Sequence, residues 1–137
     1  MNWKLILQLS VFGLAMALGT VFFIPSSIEW VFWLAIFVLT AYLIARRAPG
    51  RPFLHGFMLA LANCVWVTSA HVLLFSQYMA THASEAASMS AMPLAVAAHP
   101  RMMMAAIGPI VGVISGLVLG LFAWVASKFV ASTAHRH

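Results

Sequence analysis

Acidic side chains are almost missing from this chain: Glu29 and Glu85 are the only two among 137 residues. Charged residues of either sign make up 7% of the sequence and hydrophobic residues 64%, whereas a soluble domain carries about 25% charged residues. A chain so poor in charge would aggregate in water, so its main solvent is a bilayer. Cysteine is equally scarce. A single Cys64 excludes an intrachain disulfide and any paired-cysteine redox or zinc motif. Catalytic patterns are missing as well. There is no H-E-x-x-H of a zinc protease, no G-x-S context of a serine membrane protease, and no histidine pair on two spans for a di-haem cytochrome. Small multidrug antiporters need an acid in the first span, and none is there. No enzyme activity and no cofactor are expected.

Basic residues outnumber acids, with seven Lys and Arg and a formal net charge of +5. They do not form a stripe or a groove-reading helix, so nucleic acid is not an expected partner. They sit instead at the ends of apolar stretches, which is how a polytopic membrane protein sets its topology. A hydrocarbon core of roughly 30 Å needs about 20 helical residues. Four stretches meet that length, over about 4–24, 27–46, 54–78 and 102–128. Pro25 ends the first, and Ser26 with Glu29 fits an S-x-x-E capping box opening the second, so these two spans read as a tight hairpin. The Pro-Gly punctuation of residues 46–52 marks a loop. Pro109 either begins or kinks the fourth span, and the apolar run from Met102 favours a kink.

The expected fold is all-α: four transmembrane helices in two antiparallel hairpins, forming one domain. Lys4, Arg46, Arg47, Arg51, Lys128 and Arg136 then fall on one side, and only Arg101 on the other, together with both acids. The positive-inside rule puts both termini in the cytoplasm, as expected of a bacterial inner membrane protein. Lys4, the apolar run and Ala15-Met16-Ala17 resemble a secretory signal, but the run is longer than a usual signal core. Trp3, Trp30, Trp33 and Tyr42 suit the headgroup level, while Trp66 and Trp124 suit packing or lipid contact.

The fourth span carries Gly108, Gly112, Gly116 and Gly120, one every fourth residue. Small residues let helix backbones approach closely, which matters in lipid because hydrophobicity alone holds helices together weakly. The partner is either another span of this chain or another polypeptide. In the third span, Asn63 and Gln77 lie on one helical face, and Cys64, His71 and Tyr78 run along its flank. Polar side chains inside a membrane usually face protein. Gln8, Ser10 and Thr20 of the first span are the expected partners of the two amides. His71 reads as either a packing imidazole or a proton relay or ligand.

Met89, Met92, His99 and Met102, with His82, Met103 and Met104, fall on the outer side and form a weak copper-ligand pattern. The single M-x-x-M does not repeat, so no metal is expected. Glu85 and His82 are spaced to pair across one helical turn. Arg46, Arg47 and Arg51 suit anionic lipid headgroups. The principal expectation is a non-enzymatic membrane protein acting through helix packing, as a homo-oligomer or an accessory subunit of a larger complex. The alternative is a small oligomeric transporter or channel with a polar path by Asn63, His71 and Gln77. Outer-side copper or haem binding is weaker. Membrane lipids, other copies or other membrane subunits are the expected partners.

Overall fold

The computed structural model describes residues 1–134, so Arg136 of the basic set lies outside the described residues. The described chain is all-helical: α1 (Trp3–Phe22), α2 (Ser26–Arg47), α3 (Pro52–Leu73), α4 (Phe75–Thr81), α5 (Ala83–Ser90), α6 (Leu94–Ala97) and α7 (Pro100–Ala134). Four of these, α1, α2, α3 and residues Pro100–Val130 of α7, are long and apolar enough to cross a membrane. Pro52 and Pro100 occupy first helical positions, where the missing N–H is no loss. Helix α7 runs through Pro109 without ending.

Two local expectations need correction. Ser26 and Glu29 do not form a capping box. Pro25 takes the cap position with extended backbone (φ −74°, ψ 156°), and no side chain caps the helix. Ser26 is therefore already inside the helix, and both side chains are free for other partners. The third apolar stretch is not one helix. Leu74 (φ −102°, ψ 32°) interrupts it, and α4 resumes at Phe75.

Consecutive spans do not all pack alike: the third and fourth, α3 and α7, form the main pair, whereas the first and second do not. Helix α3 packs most extensively on α7, α1 on α3, and α2 on α7, while α1 and α2 touch over a short length despite their tight turn. The glycine stripe explains the α3–α7 pairing. A Cβ at Gly112 would stand 2.6 Å from the Cys64 Sγ, and one at Gly116 2.8 Å from the Phe57 ring. At Gly120 it would stand 2.9 Å from the Phe53 carbonyl oxygen. Gly108 faces Thr68, and its carbonyl accepts the Cys64 thiol at 3.0 Å. The stripe is thus spent against α3 within the chain.

The two ends of the bundle differ in kind. One end is an apolar core in which Ile6, Ile44, Leu59 and Leu119 from the four long helices are fully buried. This end also holds the α2–α3 turn. His55 donates through Nδ1 to the Arg51 carbonyl (2.8 Å), and its Nε2 accepts the Asn2 backbone N–H (2.9 Å). Asn2 in turn caps α1 by accepting the Leu5 N–H at 3.1 Å. Replacing His55 by alanine leaves the Asn2 N–H without its acceptor, at an expected cost of about 1 kcal/mol. Hydrogen exchange should show faster exchange at Asn2, with the Leu5 amide still protected by its cap. Equal acceleration at both would mean that the whole helix start is released.

Candidate functional site

The opposite end is held by polar side chains. Both acids of the sequence converge there, contributed by α2 and α5. Glu85 accepts two hydroxyl hydrogen bonds, from Tyr78 (2.6 Å to Oε2) and from Ser26 (3.0 Å to Oε1). Glu29 Oε1 accepts the Trp33 indole N–H at 3.0 Å. Its Oε2 lies 3.7 Å from His82 Nε2, too far for a hydrogen bond. His82 is fully buried and donates through Nδ1 to the Tyr78 carbonyl at 3.1 Å. His82 thus faces Glu29 across the bundle, while Glu85 serves Tyr78 and Ser26, and the expected one-turn pair of His82 with Glu85 does not form. Tertiary partners reach both side chains first.

His71, Tyr78 and His82 stack as a column, with ring centroids 3.9 Å and 4.0 Å apart and planes tilted by 26° and 23°. The seven-residue spacing that aligns Tyr78 with His71 is kept across the break at Leu74. At its base, His71 Nε2 lies 2.9 Å from Thr20 Oγ1 of α1. The Thr20 hydroxyl also lies 3.1 Å from the Ala17 carbonyl, which can take its proton. Thr81 fastens α4 to α1 by donating to the Val21 carbonyl at 2.9 Å. Tyr78 lies beyond the spanning helix, and burial, then its bond to Glu85, hold its phenol above the ordinary range. It remains a protonated donor.

Below this column, between α2, α3 and α7, lies a cavity of about 850 Å³. Phe37 and Phe122, in edge-on contact at 6.3 Å, are the deepest lining residues on their helices. Trp30 and Trp33 of α2 line one wall, and Met89 and Met92 lie on the loop side. Helix α3 contributes a polar row, Asn63, Cys64, Thr68 and His71. Asn63 is 3% exposed and sits against Gly13 of α1, yet neither its Nδ2 nor its Oδ1 has a protein partner. Buried amides are normally satisfied by protein or water.

Removing this amide should therefore cost little. Asn63→Ala is expected to change stability by less than about 1 kcal/mol, or to raise it, because no hydrogen bond is lost. Thermal unfolding in detergent checks this. A fall corresponding to about 3 kcal/mol would show that the amide is bonded in the folded protein.

The residues singled out from the sequence divide accordingly. Asn63, Cys64, His71 and Tyr78 share the cavity wall or its rim, whereas Gln77 is exposed. Of the amide partners expected in α1, Thr20 meets His71 and Ser10 accepts the Trp66 indole N–H at 3.2 Å, while Gln8 is exposed. Met89 and Met92 line the cavity with Met103 and Met104. His99 is exposed and Met102 is 70% exposed, so the four weak metal candidates do not converge. Among the described residues, no group of three or more His, Cys, Asp or Glu side chains is placed to hold a metal ion. Arg47 and Arg51 flank a polar recess beside Asn2 and His55, and Arg46 leans over the Tyr42 ring at 5.7 Å. Sequence reasoning missed Glu29 and Glu85 as partners in one cluster. Their scarcity was the available signal, since an acid in so apolar a chain needs a reason to be there.

No family model, curated protein or solved structure matches this chain.

Proposed function

We propose that this protein is a small, non-enzymatic membrane carrier that admits an apolar or amphipathic molecule between α2, α3 and α7. The observation that supports it is the cavity of about 850 Å³, apolar over most of its wall, with Cys64, Thr68 and His71 as a polar row on α3. That volume lies within the range of about 300–1,000 Å³ typical of small-molecule sites. Apolar walls with a few polar groups are the usual chemistry of such sites. His71 and Cys64 are seven residues apart on α3, so polar side chains extend about 10 Å down the wall. Lys4, Arg46, Arg47 and Arg51 gather at the apolar-core end, which favours cytoplasmic termini in a bacterial inner membrane. The cavity then faces the outer half of the bilayer.

Cys64 lines the cavity and is the chain's only thiol, which makes it a built-in reporter. N-ethylmaleimide is expected to label it in the folded protein, and Ser115→Phe, which fills the lining, is expected to slow labelling about tenfold. A thiol that reacts only after denaturation would overturn the carrier reading.

The second reading, an oligomer or accessory subunit, rests on the apolar outer surface of α1 and α2, where Leu7, Val11, Val31 and Val38 are exposed. Lipid covers such a surface equally well. The glycine stripe lends this reading no support, because it packs on α3. Native mass spectrometry after gentle extraction distinguishes the two: co-purifying polypeptides favour the subunit, a free chain the carrier.

A further inference from the structure

Seven Lys and Arg and only two acids make the chain strongly basic, yet both acids line the cavity and, among the described residues, no Lys or Arg does. This reverses the charge balance of the whole molecule at one place. From it we infer that the molecule admitted is an organic cation with an apolar body, and that Glu29 is its counter-charge. The inference rests on the carrier reading and names the class of ligand for it.

Glu29 is the acid free to serve. Both oxygens of Glu85 are already engaged by Ser26 and Tyr78, whereas Glu29 holds one hydrogen bond, to Trp33, and keeps Oε2 without one. Its side chain is 22% exposed, so it stays reachable while partly shielded from water. The His82 imidazole donates its Nδ1–H to the Tyr78 carbonyl and presents Nε2 at 3.7 Å, beyond hydrogen-bond length. Arg101, which falls on the same side of the bundle as both acids, lies over the Phe75 ring at 5.7 Å.

The surroundings of Glu29 suit the same ligand. Trp30 and Trp33 line the cavity beside it, and indole faces attract cations. Methionines such as Met89 and Met103 adapt to varied apolar shapes without fixing one. A small inorganic cation would leave most of this apolar wall unused, and an anion would meet two carboxylates.

Tetraphenylphosphonium and tetraphenylborate have nearly the same shape and opposite charge, so they separate charge from hydrophobicity. The purified full chain in detergent is labelled at Cys64 with N-ethylmaleimide in the presence of each ion. The phosphonium is expected to slow labelling at least tenfold and the borate less than twofold. Glu29→Gln should reduce the phosphonium effect to that of the borate. Comparison of the two ions on the unaltered protein stands even if that variant folds poorly. Equal protection by both ions, or none by the phosphonium while Cys64 remains reactive, overturns the cation inference and leaves the carrier reading intact. Loss of Cys64 reactivity in the folded protein without any added ion overturns both.

Discussion

Replacing Gly120 by leucine is expected to unfold the protein or to lower its melting temperature by more than any other single substitution on α7. The reason lies in what a side chain there would meet. At Gly116 the nearest atoms are the Phe57 ring, and at Gly112 the Cys64 side chain, both of which can rotate by some amount. At Gly120 one of the nearest atoms is the Phe53 carbonyl oxygen at 2.9 Å, part of the α3 backbone. Gly56 on the facing helix is in the reciprocal position, with the Leu119 carbonyl oxygen at 2.7 Å and the Gly120 Cα at 2.9 Å. Backbone cannot step aside without separating the helices, so the closest crossing of α3 and α7 would open. Overpacking typically costs about 1–3 kcal/mol and more where nothing can yield. Gly50, with nothing within 4 Å, is the matched control, and Gly50→Ala should be silent. Thermal unfolding in detergent reads the order Gly120 and Gly56 first, Gly112 and Gly116 next, Gly50 last. Because the stripe packs within the chain, the oligomeric state should not change in the variants that still fold. A normal melting temperature with altered oligomeric state would place the stripe at an intermolecular contact instead.

Glu85→Ala is expected to release the segment from α4 to α6 from the bundle. Glu85 is the single acceptor for Ser26 at the start of α2 and for Tyr78 of α4, so it ties three elements together. Hydrogen bonds to a charged group are worth about 1.5–3 kcal/mol each, and partial exposure reduces this, so a total of about 2–4 kcal/mol is expected. The effect should be local before it is global. The Ala86 N–H, bonded to the His82 carbonyl at 3.0 Å, should lose protection from hydrogen exchange, while amides around Ile44 and Leu59 in the apolar core keep theirs. Tyr78→Phe should produce about half the loss, since Ser26 remains bonded. Unchanged exchange across α5 would mean that apolar contacts, such as those of Met89 and Met92, hold the segment without the carboxylate.

The bilayer as solvent and the presence of four long apolar helices follow from composition and run length alone. These are one-dimensional properties, because crossing a hydrocarbon layer depends on how many apolar residues stand in a row. A close helix approach at the glycines is equally local, since it depends only on a period of four along one helix. The partner of that stripe was not legible, because any span could have met it; the ring of Phe57 and the small flank of Gly56 on α3 decide it. The polar cluster was least legible of all. Read locally, Ser26 and Glu29 form a capping box, and His82 and Glu85 a one-turn pair. In the folded chain Ser26 goes to Glu85 and His82 faces Glu29. Pro25 displaced the cap, and beyond the break at Leu74 Tyr78 is buried while Gln77 is exposed. Periodicity tells which residues share a helix face, not which element that face will meet. For the same reason, the meeting of the two acids beside one cavity belongs to the tertiary structure: it depends on how four helices are turned relative to one another, which no single segment specifies.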